Sequence, residues 1–128
     1  MNTGEFDEGF TFIEVLFAVL IIGFLSSIAF SSFGYIRQSS FEAAVHQDVR
    51  NAGGACEEYF VDNHSYPAFG PFTGLEGTSN FDIAPNYSIK VSQGVTIQGV
   101  LQPQGGIVIT GTHPGSTQSI TYISSVGQ

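Results

Sequence analysis

The sequence predicts an α+β chain. One long N-terminal helix, half apolar and half amphipathic, packs on a small antiparallel sheet of about four strands. Three observations carry this. Val15–Phe33 holds 19 residues without a charge. Tyr35–Phe60 repeats its apolar residues every three or four positions, and the region after Tyr87 consists of short alternating runs separated by turn residues. The chain has 128 residues and a formal net charge of −8, too short for a typical two-domain enzyme. Its basic residues are Arg37, Arg50 and Lys90, against eleven acidic ones. That balance excludes a phosphate-neutralising surface, so no nucleic-acid partner is expected. The single Cys56 excludes an internal disulfide and any multi-cysteine metal site.

The apolar run comes first. At about 1.5 Å per residue its helix spans roughly 28 Å, the thickness of a bilayer core. It is too long for the core of a cleaved secretory signal, the segment before it is acidic, and no small-x-small site closes it. Glu14 stands at its start. A carboxylate in hydrocarbon costs about 3 kcal/mol unless paired or neutralised. The nearest downstream cation, Arg37, lies more than six helical turns away. That leaves water, a lipid headgroup, a proton or another chain as partner.

Gly9-Phe10-Thr11-Phe12-Ile13-Glu14-Val15-Leu16, followed by the apolar run to Gly23 and Ala29, resembles the processing motif of type IV prepilins. Weaker similarity lies in Asn63-His64-Ser65-Tyr66-Pro67 and in Thr110–Gly115 with Tyr122 and Gly127. The resemblance implies a leader, residues 1–9, cut by prepilin peptidase between Gly9 and Phe10, with Phe10 left as an N-methylated end. It implies residues 10–34 as a transmembrane and filament-core half-helix and residues 35–128 as a globular head. It also implies an inner-membrane precursor, delivery through an assembly platform, and a homopolymer in which Glu14 pairs with the Phe10 amine of a neighbour. The amine and the carboxylate, each costly alone in a low-dielectric layer, attract strongly there and set the register of staggered helices. The chain departs from the family in two places. Its leader carries three acids and no base, and Ser31 stands where a proline is common. Gly23, Ser26, Ser27 and Ser31 are the residues at which the helix would loosen, since glycine weakens a helix by about 1 kcal/mol.

From Tyr35 to Phe60 the helix becomes amphipathic. Phe41, Val45, Val49, Ala52, Cys56 and Phe60 form one face, with Glu42, Gln47, Asp48, Arg50 and Glu57 mostly off it. Gly53-Gly54 reads as a weak point or as a close approach to the sheet. Residues 61–86, rich in Gly, Pro, Asn and Ser, read as a long connecting loop with little regular structure. Tyr87–Val91, Val95–Val100, Gly106–Thr110 and Ser119–Ser124 read as a four-stranded meander covered on its apolar side by the helix.

Other chemistry is weakly represented. His46, His64 and His113 are far apart, and Asp62 and His64 with Glu57 or Glu58 lack a recognised ligand spacing. No metal, cofactor or catalytic residue is expected, since no phosphate loop or nucleophile elbow occurs. The expected function is a structural subunit of a type IV pilus, serving adhesion, motility or long-range electron transfer. A type II secretion pseudopilin and a membrane-anchored binding domain that does not polymerise are the alternatives. The lack of any Asp or Glu after Pro85 argues against the calcium site that major pseudopilins often carry.

Overall fold

The computed structural model describes residues 9–77 and 79–125. All of the expected leader except Gly9, and Gly127 of the weaker C-terminal similarity, lie outside them. The chain divides into two compact units, Met1–Ile36 and Arg37–Gln128.

Helix α1 runs over Phe12–Asn63, 52 residues. No proline occurs in it, and Leu, Ala, Glu, Gln and Arg supply helix formers through its length. It stops at His64, whose φ of 53° is left-handed. The His64 N–H donates to the Phe60 carbonyl at 2.8 Å, and Asn63 Nδ2 donates to the Tyr59 carbonyl at 3.1 Å. The Phe60 carbonyl, one that the helix end would orphan, is thereby satisfied, and the Asn63 side chain adds a second bond to the Tyr59 carbonyl.

In the first unit α1 has no core to bury. Phe10, Phe12, Phe24, Phe30 and Phe33 are all exposed. The helix is continuous through Gly23, Ser26, Ser27 and Ser31. The Ser26 and Ser31 hydroxyls donate back to the Ile22 and Ile28 carbonyls at 2.7 and 2.9 Å, a way for serine to satisfy itself inside a helix.

The second unit has a complete core. Its strands are β1 (Phe69–Thr73), β2 (Ser79–Ala84), β3 (Tyr87–Val91), β4 (Thr96–Leu101), β5 (Gly106–Thr112) and β6 (Ile120–Ser125). A four-stranded sheet has the order β1-β4-β5-β6, and β2 and β3 form a separate two-stranded sheet. Among the described residues the named strands pair antiparallel, with Phe72 opposite Ile97, Ile97 opposite Gly111 and Ile109 opposite Tyr122. Val45, Val49, Ala52 and Cys56 of α1 pack with Val91, Val95, Ile97, Ile107 and Ile109 in one cluster.

The α+β class, the long helix and the β4-β5-β6 meander follow the sequence expectation, with strand ends displaced by one or two residues. Two expectations need correction. Residues 61–86 are not a long loop with little regular structure, because β1 and β2 lie within them. β1 reads poorly as a strand because Gly70-Pro71 interrupts it. Proline is tolerated there because β1 is an edge strand, where one row of N–H groups has no partner to lose. Tyr87–Val91 correspondingly leaves the expected four-stranded sheet and pairs with β2, while β1 takes the fourth place.

Candidate functional site

The motif residues sit at the start of α1. Gly9 and Phe10 are exposed and precede the helix, as does Thr11. Thr11 caps the helix. The Glu14 N–H donates to Thr11 Oγ1 at 3.3 Å and to the Thr11 carbonyl at 3.1 Å, and Glu14 Oε2 accepts the Thr11 N–H at 3.4 Å. This is a reciprocal capping box, in which a Thr and a Glu three residues on each satisfy an orphan N–H of the first turn. Glu14 also places negative charge at the positive end of the helix dipole.

This corrects the reading of Glu14. Water, a headgroup, a proton or another chain were its expected partners, but its own backbone supplies one. The signal was in the sequence as Thr11-Phe-Ile-Glu14 before an apolar run. The contacts are long, and a carboxylate can accept about four hydrogen bonds. Capping therefore leaves acceptor capacity, and Oε1 makes no bond within the capping box.

The second unit holds polar groups that the sequence reading missed. Asp48 is 4% exposed and accepts the Ser92 N–H at 2.7 Å and the Ser92 hydroxyl at 3.1 Å. It lies on the buried face, not off it: three residues after Val45 and four before Ala52 is where a wide helical stripe continues. The carboxylate takes a backbone N–H at the end of β3 that would otherwise have no partner there, which makes its burial tolerable.

Glu57 organises a second cluster. Its carboxylate accepts the Tyr66 hydroxyl at 3.1 and 3.2 Å and the Tyr122 hydroxyl at 3.2 Å, and Tyr66 shares a further 2.8 Å bond with Ser124. Removal from water and the Glu57 charge raise the Tyr122 phenol. For Tyr66 removal from water is the largest cause, with Ser124 opposing and Glu57 adding. The neighbouring Cys56 thiol is pushed up to about 12, mainly by burial and then by the Glu57 charge. It is an inert core group, not a nucleophile. Tyr87 donates to Asp62, and that bond is the largest cause raising its phenol to about 12.

Gly53 and Gly54 divide the two roles read for them. A Cβ at Gly53 would stand 3.0–3.2 Å from the Tyr122 ring, whereas one at Gly54 would meet nothing within 4 Å. Gly53 is thus the close approach to β6. The three histidines do not converge: His46 lines a groove beside β6, His64 ends the helix and His113 stacks on Phe41 at 4.1 Å. Among the described residues no three His, Cys, Asp or Glu side chains are placed to hold a metal ion.

The long helix contains a stretch apolar enough to cross a membrane, and it begins at the capped motif. The family model for the prokaryotic N-terminal methylation motif matches residues 7–30.

The chain carries the prokaryotic N-terminal methylation motif.

The chain is also similar to fimbrial protein EcpC from Eikenella corrodens, 31% identical over 77 residues. The match covers 59% of this chain and 50% of that protein, so the chain spans about half the length of the curated relative it matches. No solved structure matches at a significant level. The motif, the apolar helix and the fimbrial likeness occur together in a chain of α+β architecture.

Proposed function

We propose that the chain is the structural subunit of a type IV pilus. Prepilin peptidase removes residues 1–9, and Phe10 becomes the N-methylated end. The precursor sits in the inner membrane through residues 10–34 with residues 35–128 as its head. An assembly platform then transfers it into a homopolymeric surface fibre. The observation that carries this reading is an apolar half-helix, exposed along its length, that begins at a carboxylate. Lipid satisfies the apolar side chains of the stored subunit, and neighbouring helices satisfy them in the fibre. Because lipid is already apolar, packing and polar pairing drive the exchange.

The capping box refines the charge-pair argument. Glu14 caps its own helix with Oε2 and keeps capacity for the Phe10 ammonium of a neighbour. Capping and pairing are separable by mutation, because glutamine also completes a capping box. Glu14→Gln keeps the cap and removes the charge, whereas Glu14→Ala removes both. Both variants are expected to insert in the membrane, and both to lose most of their fibre yield. Wild-type fibre yield from Glu14→Gln overturns the pairing.

Electron microscopy of sheared fibres, with mass spectrometry of their N-terminal peptide, tests polymerisation and processing together. A methylated peptide beginning at Phe10 is expected, and one beginning at Met1 rejects the processing step. Conductance of cytochrome-free fibres, against an aromatic-to-Leu variant, separates electron transfer from adhesion and motility.

A further inference from the structure

We propose that the loop after edge strand β1 and the groove beside edge strand β6 are complementary between neighbouring copies: Leu75-Glu76 of one copy seats in the groove lined by Val49, Arg50, His46, Ile120 and Tyr122 of the next. This contact rests on the polymerising reading above.

The groove lies between α1 and the edge strand β6 and has a volume of about 260 Å³. Val49, Ile120 and the Tyr122 ring give it apolar walls, while Arg50 and His46 are exposed beside it. Tyr122 is held from two sides, by its bond to Glu57 at 3.2 Å and by the backbone of Gly53 against its ring. The groove is therefore preformed.

The other half of the contact follows β1. Gly74 is locked in place: its N–H donates to the Val95 carbonyl and its carbonyl accepts the Gly94 N–H, both at 2.9 Å. A Cβ there would collide with the Ser92 carbonyl, so only glycine fits. The next N–H, that of Leu75, donates to Ser79 Oγ at 3.1 Å. On this fixed base Leu75 is 71% exposed and is followed by the exposed Glu76. An isobutyl group with a carboxylate beside it matches an apolar groove with a guanidinium beside it, and presenting both on a fixed base lowers the ordering cost of binding. Glu42, Asp48, Glu57 and Asp62 already accept internal hydrogen bonds; of Glu58, Asp82 and Glu76, the other carboxylates of the second unit, Glu76 alone directly follows an exposed large apolar side chain, Leu75.

Topology decides what such a contact builds. β1 and β6 are opposite edges of the sheet. Complementary features on opposite edges make a head-to-tail contact, which leaves each copy one knob and one groove for further copies. Such a contact propagates into a ring or a helix and does not close as a two-fold dimer.

The test uses the full chain in fibre-forming cells. Arg50→Glu and Glu76→Lys are each expected to lower fibre yield about tenfold, and the Arg50→Glu/Glu76→Lys double variant to restore most of it. Melting should stay at the wild-type value in all three, since both side chains are exposed. In fibres of an Arg50→Cys/Glu76→Cys chain, mild oxidation should give a ladder of linked multimers. Wild-type yield from both single variants, a double variant no better than the singles, or oxidation that stops at dimers overturns the contact. If the wild-type chain forms no fibre at all, the polymerising reading fails first and this contact with it.

Discussion

Residues 12–36 and 37–128 solve the hydrophobic problem in opposite ways. The second unit encloses its large aliphatic side chains, with Ile97, Ile107, Ile109 and Val45 fully buried. In the first, residues just as apolar are exposed: Leu20 is 68% accessible and Phe30 82%. The difference is one of partners. A helix alone has only its own surface, whereas α1 beyond Arg37 shares its unit with six strands. The first unit therefore leaves its apolar surface uncovered within the chain, and the second is complete within it.

Four measurements break or sharpen this contrast. The largest effect concerns Cys56. Its thiol is pushed from an ordinary value of 9.0 up to about 12, so at pH 8 the native chain holds about a thousandth of the thiolate of an exposed cysteine. Maleimide labelling of the detergent-solubilised chain should proceed only through unfolding. The folded value lies above the unfolded one, so the associated stability is present below pH 9 and is lost as pH climbs toward 12. Fast labelling of the native chain would place Cys56 outside the core.

Next is the core itself. Ile109→Ala should cost about 2–5 kcal/mol in the thermal or denaturant unfolding of the second unit. Leu20→Ala should leave the same transition within about 0.5 kcal/mol, because it removes no contact there. Equal effects would mean that the two units do not differ as described.

Asp48→Ala should destabilise the second unit by about 1–3 kcal/mol, since the Ser92 N–H and hydroxyl lose their acceptor. Denaturant titration measures this directly. The smallest effect separates the adjacent glycines. Gly54→Ala should stabilise by about 0.5–1 kcal/mol, the helix-propensity gain at an open position. Gly53→Ala should gain less or lose, because the new methyl presses on a Tyr122 ring tied to Glu57.

The sequence disclosed most where one rule governed a long stretch. The apolar run and the 3.6-residue repeat from Val45 to Cys56 fix α1 almost end to end, and alternation fixes β4, β5 and β6. Legibility failed where tertiary partners overrule local pattern. β1 contains Gly-Pro and is held by its neighbour β4; β3 has a regular alternation, yet its partner is β2. Asp48 reads as off the buried face when polarity stands for exposure, although its helical position puts it inside. At the motif, Gly9, Phe10 and Glu14 are recognisable from residue order, whereas the Thr11–Glu14 cap is legible only when the carboxylate counts both as a charge and as an acceptor for its own first turn.

The open margin of the sheet has one more effect. From Val91 to Ser125 the chain contains no Asp, Glu, Lys or Arg, and β6 ends the sheet with Ile123 outward. Natural sheets commonly guard such margins with charge, proline or a bulge. Within β6 itself, Ile120–Ser125, there is neither charge nor proline. Loss of the α1 cover would leave uncharged ribbon free to stack on itself, so amyloid-like deposition, and not soluble unfolding, is the expected fate of heads that come apart at high concentration.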